Sequence, residues 1–275
     1  EKTDLWDHFC IVTDDVMPDQ LQNRGHLNYL VKKAIRLGMK PERAITVTTW
    51  TPARRMKLYD RGMLAPGMKA DLILLKNLED FDIRLVMKNG EIAYDASVEE
   101  KPLPQERRFP EKFYESVHLP ELTLEDFIIH TTLPDGLHTA RTMVPEASTA
   151  FVREGRAEVM VKDGRVDYDN TPHCVIAVFD RYTGKANRML GLTDGPDFIK
   201  EGAVACTFAH DHHNLLVAGK TAAECQLAAN WVIAHQGGYC MVEHGEIVAT
   251  LPLEVGGIVS EAPLADMAVK AKAIT

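Results

Sequence analysis

The sequence lacks the marks of a secreted or membrane-spanning protein. Its five cysteines are odd in number and widely spaced, and no two form a C-x-x-C pair, which favours buried thiols over a disulfide framework. No apolar run approaches the roughly 20 residues that a membrane helix needs. The first residues carry no apolar stretch of the kind found in signal peptides. We therefore expect a reducing compartment, no membrane partner and a cytoplasmic location.

The sequence also lacks the marks of nucleic-acid and nucleotide binding. Lys and Arg total 31 against 40 Asp and Glu, the formal net charge is −9, and no basic cluster stands out. Neither G-x-G-x-x-G nor G-x-x-x-x-G-K-[ST] is present. G-x-S-x-G and the H-x-E with P-C-x-x-C pair are missing too, which argues against α/β-hydrolases and small zinc-dependent nucleobase deaminases. What remains is an acidic globular chain of 275 residues, 45% of them hydrophobic.

The first 58 residues show the alternation typical of an α/β protein. A β-rich run at 8–13 is followed by apolar residues at helical spacing over 19–37, which predict one helix. Two further helices are predicted at 40–49 and 51–58. Because the chain opens almost at once on a strand, and 264–275 resembles a helix cut short, we expect both ends to be cuts in a longer protein.

The remainder of the chain is richer in strands and turns. Residues 71–75 predict a buried strand, and an Asn-Gly turn at 89–90 predicts a hairpin. The segment 97–120 holds four of the fourteen prolines and many charges, so we interpret it as a linker. Further hairpin turns are predicted at 163–164 and 244–245. A helix is predicted over 221–236, capped by Thr221 with Glu224 three residues later.

Two carboxylates, Asp14 and Asp15, directly follow the first predicted strand. A carboxylate at the carboxyl end of a parallel strand lies where barrel enzymes place catalytic groups. It can hold a divalent metal and accept a proton from the water bound to that metal. On position alone, a turn or a helix cap is the commoner role for such a residue. Both roles stay open at this point.

A polar cluster, His210-Asp211-His212-His213-Asn214, follows an apolar run that ends at Ala209. If the segment is extended, His210 and His212 face one side and Asp211 and His213 face the other. The cluster predicts either a substrate or metal site, or a polar turn with hydrogen-bonded histidines. Structural roles are expected of the isolated histidines, which are His8, His26, His130 and His138.

The turn-rich stretch between the helices and the strands resembles the end of the amidohydrolase superfamily. The resemblance is carried by Thr51-Pro52-Ala53, by Gly62-Met63-Leu64-Ala65-Pro66-Gly67 and by Ala70-Asp71-Leu72. Thr13-Asp14-Asp15 with Pro18-Asp19, Gly25-His26-Leu27 and Ala34-Ile35 resembles the eighth-strand region of the adenine deaminase family. The C-terminal residues are similar to the additional domain of that family: Ala209-His210-Asp211-x-His213-Asn214, Asn230, Gly237-Gly238, Leu251-Pro252-Leu253 and Gly256-Gly257.

The resemblance implies a fold of class α/β plus β in three parts. Residues 1–58 are expected to be the last strand and helices of a metal-dependent (β/α)8 barrel. Residues 59–120 are expected to be a segment of a small β-sandwich domain with a linker. Residues 121–275 are expected to be an α+β domain of the adenine deaminase type.

The resemblance also implies a reaction, which is hydrolytic deamination of adenine to hypoxanthine and ammonia. Asp14 matches the strand-eight aspartate, a metal ligand and proton acceptor, and Asp15 is the alternative assignment. His210, Asp211, His213 and Asn214 match the polar signature of the additional domain and are expected to bind substrate. A divalent metal (manganese, iron or zinc) is expected, held mostly by residues absent from this chain. The chain alone is therefore expected to be inactive.

Two other functions stay open. One is an amidohydrolase acting on a cyclic amide or imide, which needs Asp14 but not the His210 cluster. The other is a non-catalytic binding or assembly module. A small-molecule substrate is expected, and exposed barrel surface would make the chain prone to form a homo-oligomer.

Overall fold

The structure is a computed structural model that describes residues 5–99, 108–146, 151–169, 171–185, 187–193 and 199–274. The chain divides into two compact units, Glu1–Pro104 and Gln105–Thr275. The division of the sequence into 1–58, 59–120 and 121–275 stays a prediction.

The first unit contains four short helices among its described residues. They are α1 (Pro18–Arg24), α2 (Leu27–Arg36), α3 (Pro41–Thr48) and α4 (Trp50–Arg55). Prolines begin α1 and α3, where their missing N–H and fixed φ suit the first turn. The single helix predicted over 19–37 is wrong, because Gly25 has a φ of +90° and the backbone N–H of His26 donates to Asn28 Oδ1 at 2.8 Å.

The strand predicted at 8–13 is not formed among the described residues. Ile11 N donates to Val47 O at 3.1 Å, a single contact rather than a ladder. A strand requires a neighbouring extended segment to pair with its backbone groups, and no described residue of the chain provides one here. The assignment of residues 1–58 to the end of a barrel accordingly stays a prediction.

The first unit also contains an antiparallel sheet of three strands in the order β1-β2-β3. The strands are β1 (Leu72–Leu75), β2 (Ile83–Lys88) and β3 (Glu91–Asp95). The hairpin predicted at Asn89-Gly90 is confirmed, with φ values of 51° and 84° that suit a type I′ turn. The expected burial of β1 is wrong, because Ile73 and Leu74 are 50% and 54% exposed. A β-sandwich that would cover these faces stays a prediction.

The described residues of the second unit form a nine-stranded sheet in the order β12-β11-β9-β10-β7-β8-β4-β5-β6. Every pairing is antiparallel except one parallel bridge between β4 and β8, from Met143 to Thr193. The strands are β4 (Gly136–Pro145), β5 (Val152–Lys162), β6 (Arg165–Asp167), β7 (Cys174–Phe179), β8 (Arg188–Thr193), β9 (Ala203–Cys206), β10 (Leu215–Gly219), β11 (Gly238–Glu243) and β12 (Glu246–Pro252). The hairpin turns predicted at 163–164 and 244–245 are both confirmed.

One face of this sheet packs against helix α5 (Ala222–Ala234), and a second helix, α6 (Leu264–Ala273), contacts β12. Thr221 caps α5 as predicted, since its side chain accepts from Glu224 N at 3.3 Å. Four residues of α5 are fully buried, which are Cys225, Ala228, Ala229 and Val232. The rings of Phe127 and Phe179 meet edge to face in the same core, with centroids 5.5 Å apart.

Part of the predicted linker is packed into this unit. Tyr114, Val117 and Leu119 are at most 8% exposed, and Tyr114 Oη donates to Glu261 Oε2 at 2.6 Å. The linker interpretation is wrong here because Val117 and Leu119 are buried despite the prolines and charges around them, as is Leu122 just beyond the segment. Residues 100–107 of that segment lie outside the described part of the chain.

The five cysteines are free, as predicted. Burial raises the pKa of the Cys206 and Cys240 thiols to about 11 in each case. Within the described residues, no helix has both the length and the apolar character needed to cross a membrane.

Candidate functional site

The first candidate residue, Asp14, adopts a left-handed backbone conformation with a φ of 58°. Aspartate tolerates this region because its side chain can hydrogen-bond to nearby backbone. Asp14 does so here, since its Oδ1 accepts from Asp15 N at 2.9 Å. Both carboxylates are exposed. The local turn therefore presents Asp14 to solvent instead of burying it in an internal ion pair.

His26 lies beside this segment. Its Nε2 is 3.1 Å from Thr13 Oγ1, one residue before Asp14. The break between α1 and α2 produces this placement: an ideal Cβ on Gly25 would come within 2.9 Å of Asn28 Oδ1, so a glycine suits the position. The contact agrees with the structural role expected of His26. Sequence spacing missed its proximity to Asp14, because a continuous helix would have pointed the ring elsewhere.

The described residues do not form a metal site by themselves. Among them, no group of three or more His, Cys, Asp or Glu side chains is arranged to hold an ion. Catalytic metal sites commonly use about three protein ligands. The exposed carboxylate of Asp14 fits the role of one oxygen ligand, and the described residues do not complete the set.

The turn motif around Asp71 has a structural function. Asp71 Oδ1 accepts from Asn89 N at 2.8 Å and Asp71 Oδ2 accepts from Lys88 Nζ at 2.6 Å, while Gly90 N donates to Ala70 O at 3.0 Å. The hydrogen bond from Lys88, followed by that from Asn89, lowers the pKa of the Asp71 carboxyl. The motif therefore clamps the β2–β3 turn against the start of β1.

The polar cluster lies in the loop that joins the antiparallel strands β9 and β10. The prediction that alternate residues face opposite sides is wrong, because the chain turns at 210–212 and alternation holds only for extended backbone. The rings of His210 and His213 instead lie edge to face with centroids 5.9 Å apart. His210 Nδ1 contacts Asp211 Oδ1, and both side chains are exposed. These two residues lie at the outer rim of the loop.

His213 and Asn214 face inward and are half-buried. His213 N donates to Ala209 O at 2.7 Å, and the His213 ring lies 5.7 Å from the ring of Phe208. His213 Nδ1 and Asn214 Oδ1 are both inaccessible to solvent and have no hydrogen-bond partner among the described residues. Buried polar atoms are normally paired. These two atoms therefore have unused hydrogen-bonding capacity, although solvent does not reach them in this arrangement.

The ring of His212 has a hydrogen-bond partner within the cluster, since its Nδ1 accepts from Asn214 N at 3.0 Å. Two isolated histidines make the structural hydrogen bonds expected of them. His130 Nε2 lies 2.5 Å from Glu125 Oε1, and His138 Nε2 lies 2.7 Å from Pro134 O.

Comparison with family models matches two parts of the chain. Residues 4–93 match the model of the amidohydrolase family, and residues 149–275 match the model of the adenine deaminase C-terminal domain. The first match includes Asp14 and the Asp71 turn, and the second includes the whole polar cluster.

Comparison with curated proteins finds similarity along almost the whole chain. The adenine deaminase 2 of Shouchella clausii is 46% identical over 98% of this chain and 47% of its own length. The adenine deaminase of Clostridium perfringens strain 13 is 41% identical over 96% of the chain and 46% of its own length. The adenine deaminase 2 of Oenococcus oeni is 36% identical over 96% and 45% respectively. The chain spans about half the length of the curated relatives it matches.

Proposed function

We propose that the chain belongs to the adenine deaminase family of amidohydrolases and that the whole protein deaminates adenine hydrolytically. The comparisons find the same similarity as the sequence motifs. The observation that carries the proposal is the unbroken similarity, 46% identity over 98% of the chain. It joins an amidohydrolase segment to the adenine deaminase C-terminal domain. That combination favours adenine over a cyclic amide or imide, and an enzyme over an assembly module.

The reaction requires one proton acceptor and one proton donor at C6 of adenine. The oxygen of water forms a bond to C6, and the bond from C6 to the exocyclic nitrogen breaks. One water proton leaves with ammonia and the other ends on ring nitrogen N1 of hypoxanthine. We assign Asp14 as the group that accepts the proton of the attacking water and returns it to the departing amine. Its exposed carboxylate on a left-handed turn supports this assignment. Asp15 is the alternative.

Membership of the amidohydrolase family implies a divalent metal, and we propose manganese, iron or zinc. Such an ion lowers the pKa of bound water toward neutrality. Asp14 is the one residue of this chain that we assign as its ligand. The described residues do not fit a complete site, so the chain alone is expected to be inactive.

We assign substrate binding to the loop of the polar cluster. The Oδ1 atom of Asn214 lacks a partner and is an acceptor suited to the exocyclic amine of adenine, while an asparagine side chain can also donate to a ring nitrogen. His213 Nδ1 offers a second contact of either polarity, set by its tautomer. His210 and Asp211 are assigned to the rim.

We further propose that residues 1–58 end a (β/α)8 barrel, that 59–120 belong to a β-sandwich domain, and that 121–275 form the α+β domain. Barrel surface of this kind supports a homo-oligomer, and the acidic balance of the chain speaks against a nucleic-acid partner. Five free cysteines favour the reducing cytoplasm.

The test is hypoxanthine formation from adenine by the native-length protein loaded with manganese or iron. Asp14→Asn keeps the shape of the side chain but removes the proton acceptor, and we expect a loss of turnover of about 10²–10⁴-fold. Asp15→Asn is the matched control and should retain activity. Loss in Asp15→Asn alone would move the assignment to Asp15. No turnover by the metal-loaded parent protein would contradict adenine as the substrate.

A further inference from the structure

We propose that Arg181 is a positioning residue that holds in place His213 and Asn214, the residues of the loop to which we assign substrate binding. The inference rests on the proposed function of the polar cluster and adds a residue outside it. Arg181 lies just after β7 and is only 2% exposed. A cation this deeply buried must have its charge and its donors satisfied by the protein around it.

The guanidinium group of Arg181 makes five hydrogen bonds, which equals its number of N–H donors. Nε donates to His213 O at 2.6 Å. Nη1 donates to Ser116 O at 2.7 Å and to Ser116 Oγ at 3.1 Å. Nη2 donates to Gly256 O at 2.8 Å and to Tyr182 Oη at 3.3 Å. The group is therefore not a free anion-binding site, because its donors are used within the protein.

Four of these acceptors come from three segments that are distant in sequence, and the fifth, Tyr182 Oη, belongs to the adjacent residue. The three segments lie 32, 65 and 75 residues from Arg181 along the chain. Each segment contributes a backbone carbonyl, and no carboxylate is among these five acceptors. An apolar side chain would fill such a position at a lower desolvation cost than a cation. The long planar guanidinium is the group that can connect three carbonyls at once. This indicates that Arg181 serves to hold the three segments in a fixed arrangement.

The His213 carbonyl is the point where this network meets the candidate site. His213 has a left-handed φ of 49°, an unfavourable conformation for a residue with a β-carbon. Its carbonyl is close to both Arg181 Nε, at 2.6 Å, and Tyr182 Oη, at 3.1 Å. Fixing that carbonyl fixes the peptide plane between His213 and Asn214. That plane constrains the backbone on both sides of it, and so the points from which the His213 and Asn214 side chains extend.

Gly257 provides independent support for the importance of where the Arg181 guanidinium group lies. An ideal Cβ at Gly257 would come within 2.8 Å of Arg181 Nη1, and the residue has a φ of +74°. A side chain at this position would therefore displace the guanidinium group. The Gly256-Gly257 pair, singled out in the sequence, is explained as the place where backbone comes close enough to bind Arg181.

The experiment compares Arg181→Lys with Tyr168→Phe in the native-length, metal-loaded protein. Lysine retains the charge but cannot bridge three carbonyls. Tyr168 is 3% exposed and donates to Phe127 O at 3.0 Å, so Tyr168→Phe removes a buried hydrogen bond of the same unit away from the loop. We expect kcat/KM for adenine to fall at least about tenfold in Arg181→Lys, mainly through KM, and to stay unchanged in Tyr168→Phe. Thermal unfolding measures the stability lost in each variant.

A mutant cycle separates positioning from stability. If Arg181 acts through the loop, Arg181→Lys should cost little more kcat/KM when His213→Ala and Asn214→Ala are both already present. Additive losses, or an effect of Arg181→Lys no larger than that of Tyr168→Phe, would overturn the positioning role. If Arg181→Lys does not fold, Gly257→Ala replaces it, since its methyl group displaces an intact guanidinium. Unchanged kcat/KM in that variant would equally overturn the role.

The outcome also distinguishes this inference from the proposed function. Unchanged adenine turnover in His213→Ala and Asn214→Ala would contradict the substrate role of the loop, and the positioning role with it. A loss in these variants without a loss in Arg181→Lys would leave the proposed function intact and remove only the role of Arg181.

Discussion

The two units of the chain differ in how completely they bury their apolar residues. In the second unit, helix α5 and the sheet enclose a core in which Phe127, Phe179, Leu215 and Val217 are completely buried. In the first unit, the three-stranded sheet leaves Ile73 and Leu74 half exposed. The comparison teaches that the second unit has the core of an autonomous domain, whereas the first carries apolar surface typical of an interface.

A cavity in the first unit supports the same contrast. It has a volume of about 660 Å³ and is lined by apolar side chains from α3, α4 and the sheet, among them Pro52, Met56, Leu72 and Val86. Protein interiors are normally packed with few voids larger than a water molecule. The apolar side chains that line this cavity therefore lack neighbours on one side within the first unit.

The largest expected effect is the difference in free energy of unfolding when the same change, Leu→Ala, is made in each unit. Leu215→Ala removes a fully buried side chain of the second unit and should lower the free energy of unfolding by about 2–5 kcal/mol. Leu74→Ala removes a side chain that is 54% exposed and should cost less than about 1 kcal/mol. Urea unfolding of the 275-residue chain measures both. Equal losses would abolish the contrast between the units.

Thiol reactivity gives the next largest difference. Burial raises the pKa of Cys206 and Cys240 to about 11, so at pH 8 only about one thiol in 10³ is ionised. Cys10, the cysteine of the first unit, is partly exposed. We expect one fast-reacting thiol per native chain in a colorimetric thiol assay, and five after denaturation. Cys10→Ser should remove the fast phase. A fast phase that survives this substitution would contradict either the burial of Cys174, Cys225 and Cys240 or the raised pKa of the half-buried Cys206.

Acid should destabilise the first unit measurably when Asp95 becomes protonated. Hydrogen bonds from Ser97, followed by one from Arg84, lower the pKa of the Asp95 carboxyl to about 2. Because the folded pKa is lowered, the stabilisation is present above the unfolded pKa of about 4 and is lost as the pH falls toward 2. Asp95→Asn should flatten the dependence of the unfolding midpoint on pH between 4 and 2. Asp80→Asn, at an exposed position, is the control. Identical pH profiles in the two variants would refute Asp95 as the origin of the acid sensitivity.

The smallest expected effect concerns the cap of α5. Thr221→Ala removes the acceptor for Glu224 N and should cost about 1 kcal/mol in the second unit. Thr221→Ser keeps the hydroxyl group and should cost only a fraction of that. Thermal unfolding of the two variants tests the difference. A loss in Thr221→Ser as large as in Thr221→Ala would assign the effect to the missing methyl group instead of the cap.

Features that depend on a few neighbouring residues could be predicted from the sequence. The Asn89-Gly90, Asp163-Gly164 and His244-Gly245 turns need only residues that accept positive φ. The Thr221 cap needs only the spacing to Glu224. The resemblance to this family followed from short motifs of neighbouring residues, and the comparisons find the same similarity.

The features that failed depend on residues far apart in the chain. Whether 8–13 forms a strand depends on a partner strand, and whether 111–119 packs depends on residues such as Glu261 and Gln236. The role we infer for Arg181 has no local signal, because its acceptors, Ser116, His213 and Gly256, belong to three separate segments. Turns and caps are determined by short-range sterics and hydrogen bonding, whereas burial and long-range hydrogen bonds exist only once the tertiary structure brings those segments together.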